Sequence, residues 1–419
     1  MKTGLLLNIA LALLMARLKQ SIVAAAGVTF GIATFIALVS FMTGLNKMLD
    51  SLIINRTPHI RLYNAIAPSK TQPVNRATEY AGFKNFILSV KPKDEGKQIY
   101  NAGRIIKTIR ADDRVIDVAP KISTTVFFTS GTIQLSGIID GVDVDLEQKL
   151  FHLNDNIIAG SIADLGTVSN SIIIGKGLAD KLIVKIGNVI QVTTPDGDRA
   201  MLKIVGLVQF GIAEVDDVQS FTSIQTAQKL QGKPANYITD IQVKLKNIAL
   251  APAVAKEYAR LFDVSATDVQ TANAQFETGT TVRNTIAYSV SVTLLIVAGF
   301  GIYNILNMLI YEKMDSIAIL KATGFSGKDV KAIFIRLSMV LGVIGGIIGI
   351  LLGYCLSLII SHIPFETSAL PTIKTYPVDF GVSYYLIGIA FALTTTYLAG
   401  LFPARKAAKV DPVVIIRGK

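Results

Sequence analysis

Tryptophan is absent and cysteine occurs once, as Cys355 in the middle of an apolar run. One cysteine excludes an internal disulfide, so any large exposed domain must hold together by packing. Without tryptophan, anchoring at a membrane surface falls to tyrosine, lysine and arginine. Histidine is scarce too. His59, His152 and His362 lie far apart with no ligand spacing, and the chain has neither an H-E-x-x-H nor a G-x-S-x-G segment. Metal-centred and triad hydrolysis are therefore not indicated, and His59, directly after Pro58, reads as structural. No phosphate-binding loop is present. The nearest fragment, Gly324-Phe325-Ser326-Gly327-Lys328-Asp329, has the wrong spacing and no Ser or Thr after the lysine. No catalytic, cofactor-binding or metal-ligating residue is expected on this chain.

Charge is also scarce. Of 419 residues, 17% are charged and 51% hydrophobic, with mean hydropathy +0.50. A soluble domain of this length would be more polar. The apolar residues concentrate in four stretches, 21–45, 285–310, 337–360 and 384–401, each long enough to cross a bilayer. Within them Asp, Glu, Lys, Arg and His are absent, which argues against a proton pump or ion-coupled carrier, because those need carboxylates at depth. Energy, if used, comes from outside the membrane segment. The net charge of +11 would suggest nucleic acid in a soluble protein. Here basic residues flank the spans, and no nucleic-acid partner is expected.

The first sixteen residues, MKTGLLLNIALALLMA, imitate a signal peptide. Arg17 and Lys19 follow at once, and then comes the uncharged stretch 21–45. Residues 1–20 therefore read as an amphipathic helix at the cytoplasmic face leading into the first span. Gly27, Gly31 and Gly44 interrupt that span and allow close helix approach. Four spans put both termini on one side. The loop 311–336 carries Lys313, Lys321, Lys328, Lys331 and Arg336, and the tail 402–419 carries Arg405, Lys406, Lys409, Arg417 and Lys419, whereas the loop 361–383 has only Lys374. The bias places termini and middle loop in the cytoplasm and residues 46–284 outside.

In residues 46–284 charges, prolines and turn signals return. Helices are expected over 104–113, 176–182, 224–230 and 251–262. Strands are expected over 115–118, 124–129, 133–139, 171–174 and 238–245, and a hairpin over 189–194 and 200–208 turns at Pro195-Asp196-Gly197-Asp198. This is a mixed α+β domain. Residues 67–96, rich in Pro, Lys and Asn, read as an irregular insertion. The fold class is thus an integral membrane protein of four transmembrane helices with a large α+β extracytoplasmic domain between helices one and two.

The loop 311–336 organises the reading. Met314, Ile317 and Ala318 recur at helical spacing. Gly324 is placed to end that helix in a left-handed conformation, and Ser326 with Asp329 forms a capping box for the next. Such a short helix between two spans buries little of its own. It either lies on lipid as a plain connector or docks on a partner. In the third span Gly342, Gly345, Gly346, Gly349 and Gly353 form a face for close packing, within one subunit or between two.

Residues 304–353 resemble the permease domain shared by FtsX, MacB and the lipoprotein-releasing LolC/LolE proteins. Glu312 leads into Ser316-Ile317-Ala318-Ile319-Leu320-Lys321-Ala322-Thr323-Gly324-Phe325-Ser326, similar to the family pattern E-I-G-I-L-[RK]-A-x-G-[AS]-[ST]. Ser316 replaces the usual acid, with Asp315 beside it, and Ala318 the usual glycine. The tail Pro403-Ala404-Arg405-Lys406-Ala407-Ala408-Lys409-Val410-Asp411-Pro412 resembles the family's P-A-x-x-A-A-x-x-[DN]-P ending, so that 285–412 forms an FtsX-like permease domain. Phe41-Met42-Thr43-Gly44-Leu45 with Thr57-Pro58-His59-Ile60, and Ile172-Ile173-Ile174-Gly175-Lys176-Gly177-Leu178-Ala179, are similar to segments of the LolC/LolE branch. Residues 46–284 then correspond to a MacB-like periplasmic core.

The resemblance implies a permease of the type VII, mechanotransmission class in the bacterial inner membrane. ATP and Mg would be bound by a cytoplasmic ABC ATPase dimer, and a second permease subunit, identical or not, would complete the transporter. ATPase coupling falls to Glu312, Asp315, Ile317, Leu320, Lys321 and Gly324. Lipid or lipoprotein cargo would meet Met42, Leu45, Met48 and Leu49 at the outer end of the first span, where methionine adapts to varied acyl shapes; packing within the protein explains that strip equally well. A periplasmic chaperone or adaptor is a further partner of the family. In LolC a long loop of the outer domain hooks the chaperone, whereas the matching hairpin here closes at Pro195 to Asp198. A MacB-like exporter and an FtsX-like regulator of cell-wall hydrolases stay open as alternatives.

Overall fold

A computed structural model describes residues 2–16, 18–53, 57–66, 68, 69, 72–80, 84, 86–88, 90–92 and 96–416. Arg17, Arg417 and Lys419 of the charge pattern, and parts of the insertion 67–96, lie outside the described residues. The chain opens with α1 (Lys2–Met15) and the long α2 (Leu18–Ile53). The next elements are β1 (Ile60–Tyr63), α3 (Ala102–Arg110), β2 (Val115–Ser130), β3 (Ile133–Val142), α4 (Val144–Phe151), β4 (Ile157–Gly160), α5 (Asp164–Thr167), β5 (Ser171–Gly175) and α6 (Lys176–Leu182). They continue with β6 (Val189–Thr193), β7 (Arg199–Val208), α7 (Ala213–Asp216), β8 (Gln219–Ser223), α8 (Ile224–Leu230), β9 (Asp240–Leu245), α9 (Ala251–Phe262), β10 (Ser265–Asp268) and α10 (Val269–Ala272). The chain closes with α11 (Ala274–Glu312), α12 (Met314–Ala322), α13 (Gly327–His362), α14 (Val382–Ala408) and α15 (Pro412–Ile416).

Two compact units result. One comprises Leu49–Glu277 with Glu366–Ile373, and the other Met1–Met48, Thr278–Phe365 and Lys374–Lys419. In the first, nine strands of a ten-stranded sheet run in the order β10-β1-β9-β2-β3-β8-β5-β7-β4, while β6 pairs β2 and β7. Most pairs are antiparallel, with β3–β8 and β5–β7 parallel. Two helices cover the β1–β9–β2 end through apolar residues one turn apart: Ala102, Ile105 and Ile109 on α3, and Ala251, Val254, Ala255 and Tyr258 on α9. The two strands expected over 115–118 and 124–129 are one continuous strand, β2. Pro120 and the polar residues after it read as a break, but pairing to β9 before Lys121 and to β3 after it carries the strand through. His59, just before β1, is tied to this sheet: its Nδ1 accepts from Leu245 N at 3.1 Å. The tip Glu366–Ile373 belongs to the same unit, where Ala213 N donates to Ala369 O at 3.0 Å.

In the second unit α2, α11, α13 and α14 are each long and apolar enough to cross a membrane. The glycine face of α13 is spent inside this chain. A methyl added at Gly349 would lie 2.9 Å from both Thr29 O and Ile32 Cβ of α2, and one at Gly345 would lie 2.8 Å from Ala25 O. Thr29 Oγ1 donates to Gly345 O at 3.0 Å across the same contact. Gly342 instead meets Thr396 of α14. Gly346 has room, with Ile32 Cδ1 at 3.8 Å. Gly349→Leu is therefore expected to force α2 from α13 and cost roughly 3 kcal/mol, the upper end of overpacking penalties. Gly346→Ala should be neutral. Thermal unfolding of the two variants in detergent distinguishes them, and equal midpoints would refute the packing argument.

Candidate coupling surface

The helix α12 is held at both ends by local hydrogen bonds that its sequence specifies. α11 ends at Glu312, and only Lys313 (φ −106°, ψ 15°) interrupts before α12 begins. Lys313 N donates to Leu309 O at 3.1 Å and Ile317 N to Lys313 O at 2.9 Å, so the ladder bridges the break. At the other end Gly324 takes φ +101°. Gly324 N donates to Lys321 O and Phe325 N to Leu320 O, both at 3.1 Å, which is a Schellman cap. Ser326 and Asp329 then open α13 with a reciprocal capping box: Ser326 N to Asp329 Oδ2 at 2.9 Å and Asp329 N to Ser326 Oγ at 3.2 Å.

Six of the nine residues of α12 are apolar and they spread around its axis, so periodicity alone does not decide which side faces the bundle. Ile317, 3% exposed, enters the membrane-unit core with Val330, Phe334, Ala404 and Ala407. Ala318, one of the two departures from the family pattern, is fully buried. Lys321 Nζ donates to the carbonyls of Ala408 and Val410, satisfying acceptors at the C-terminal end of α14. α15 packs on α12. A depression of about 150 Å³ beside Gly324 is lined by Leu5 and Leu6 of α1 and by Thr323, Phe325 and Asp329.

The coupling residues named from sequence are thus not on one surface. Glu312, Asp315 and Gly324 are exposed, Leu320 is half-buried, Lys321 is half-buried and engaged with the tail, and Ile317 points inward. Sequence reading passed over Ile319, which stands 58% exposed beside Asp315, Ser316 and Ala322. The only signal for it was its offset of two from Ile317, which puts the two residues on different sides of a helix. Met42, Leu45, Met48 and Leu49 all lie on α2 and are half-buried. Among the described residues no group of three or more His, Cys, Asp or Glu is placed to hold a metal ion.

An exposed apolar residue ringed by polar and small ones, on a helix fixed to a span at one end and to a second span by two caps, suits a docking point that transmits displacement. Residues 288–412 match the model of the FtsX-like permease C-terminal domain, and residues 21–261 that of the MacB-like periplasmic core domain. The chain is 25% identical to the lipoprotein-releasing system transmembrane protein LolC of Neisseria meningitidis, over 95% of this chain and 94% of that one. It is 23% identical to the lipoprotein-releasing system transmembrane protein LolE of Haemophilus influenzae, over 94% and 92%. It is also 23% identical to the uncharacterized ABC transporter permease YknZ of Bacillus subtilis, over 99% of each chain.

Proposed function

The chain belongs to the MacB/FtsX/LolC–LolE family of ABC transporter permeases, and on that premise we propose that it couples ATP hydrolysis by a separate cytoplasmic ATPase dimer to motion of its outer unit, releasing lipoproteins from the inner membrane. The observation that carries the lipoprotein reading is the near end-to-end likeness to proteins of lipoprotein-releasing systems. In this reading the termini and α12 face the cytoplasm, ATP and Mg bind the partner, and a second permease subunit completes the transporter. The ATPase closes on the exposed side of α12. That displacement passes into α11 through the bridged break at Lys313, into α13 through the two caps, and into α14 through Lys321. Helices joined this tightly move as bodies, which turns a small shift at one end into motion at the other.

The β6–β7 hairpin favours a second reading. It closes with Thr194 N donating to Asp198 O at 2.9 Å and Gly197 at φ +93°, too tight for an extended chaperone hook. A MacB-like exporter of small molecules or peptides needs no such hook. The test is reconstitution of the chain with a partner ABC ATPase in proteoliposomes carrying a lipid-modified protein, with a periplasmic chaperone outside. ATP-dependent release is expected. No release, with ATP still hydrolysed, would overturn the lipoprotein reading.

A further inference from the structure

Between α11 and α14 runs an apolar groove of about 470 Å³, on helices that carry no charge through their apolar stretches. Ile296, Phe300 and Tyr303 line one wall and Leu398 and Phe402 the other. Both walls repeat at helical spacing, so each follows its helix for about two turns. Gly299 sets the floor, where an added methyl would lie 3.0 Å from Thr395 Cγ2. Ile296, Phe300, Leu398 and Phe402 are each more than half exposed.

The groove has a chemically distinct end. Continuing along the same faces, α11 reaches Tyr311 and α14 reaches Lys406, one turn beyond Phe402. Lys406 Nζ lies 4.4 Å from the centre of the Tyr311 ring and donates to its hydroxyl. Among the described residues the partner of this ammonium is that tyrosine and not a carboxylate. Arg405 is exposed next to it. An apolar channel ending in net positive charge at an interfacial tyrosine complements an anionic amphiphile. We propose that this groove binds an anionic phospholipid, its acyl chain along Phe300 and Phe402 and its phosphate at Lys406 and Arg405. A second copy of the chain suits the groove less well. Two copies share one orientation in the membrane, so a symmetric contact here would bring the Lys406 and Arg405 of each to the same depth, like charge against like.

The absence of tryptophan makes the test clean. Phe300→Trp, or Leu398→Trp where the first folds poorly, gives the full chain a single tryptophan in the groove, excited apart from the tyrosines at the red edge of the absorption band. Ile347→Trp, on an exposed position of α13, reports general lipid. Each is reconstituted in phosphatidylcholine vesicles containing either phosphatidylglycerol or phosphatidylcholine brominated on its acyl chains. Brominated phosphatidylglycerol is expected to quench the groove reporter with a relative binding constant about five-fold higher per basic residue engaged. Lys406→Gln with Arg405→Gln should return the ratio to that of the Ile347→Trp reporter. Equal quenching by both headgroups in the native background overturns the proposal. So does a groove reporter that neither lipid quenches, which is the outcome expected if protein covers the groove.

Discussion

Ile319→Asp is expected to abolish co-purification of the partner ATPase, and ATP-driven work with it, while membrane insertion and the packing of α12 persist. Ile319 is 58% exposed, so a charge there costs the isolated subunit little, within about 0.5 kcal/mol for an ordinary surface change. At a docking interface the same change removes a central apolar anchor and strands a carboxylate. Such losses reach about 2 kcal/mol or more, a drop of roughly thirty-fold in affinity. Ile317→Asp should fail for a different reason. Ile317 is 3% exposed and belongs to the bundle core, so a charge there destabilises the membrane unit itself. Leu320→Asp, at a half-buried position, should show both effects in part. Affinity capture of the ATPase, together with thermal unfolding of each variant, tells these apart. ATPase retained at native level by a folded Ile319→Asp protein would sink the docking reading.

The contrast between Ile317 and Ile319 shows what the sequence could carry. Features fixed by neighbouring residues were legible: the Gly324 cap, the Ser326–Asp329 box, the α6, α8 and α9 helices and the β6–β7 hairpin each depend on residues within a few positions. Features set by a distant partner were legible only halfway. The glycine spacing of α13 announced a close approach, but whether α2, α14 or another subunit made it needed the fold; the answer is α2 for Gly345 and Gly349 and α14 for Gly342. The burial side of α12 was hidden because its apolar residues run nearly all round. The role of Lys321 was hidden because its acceptors, Ala408 and Val410, lie far along the chain. Short strands such as β1, β4, β8 and β10 exist through pairing and carry little pattern of their own.

A buried charge cluster in the outer unit was invisible for the same reason, since β2, β3 and α4 each bring one member. Lys121 of β2 pairs with Asp140 of β3, whose side chain is 3% exposed and which also accepts from Gln219 Nε2 at 2.6 Å. Glu147 of α4 is 7% exposed. Burial, opposed by Lys121 and reinforced by Asp140 and Asp143, pushes its carboxyl up from 4.5 to about 7. Asp140→Ala is expected to destabilise the outer unit by about 3 kcal/mol, because it leaves a largely buried ammonium without its partner. The pH dependence has a definite sign. Folded Glu147 holds its proton more tightly than the unfolded chain does, so its contribution to stability falls as pH rises from about 4.5 to about 7 and is flat above. The full difference is about 3 kcal/mol. Glu147→Gln should remove this slope and make the outer unit more stable than native at pH 8. In Asp140→Ala the slope should shrink as well, because the Asp140 charge that helps to raise the Glu147 carboxyl is gone. The measurement is the urea midpoint for proteolysis of the outer unit in the intact protein at pH 5 and pH 8. Subtracting the Glu147→Gln values isolates this group from the other titrating residues, and a difference that does not change with pH would refute the assignment.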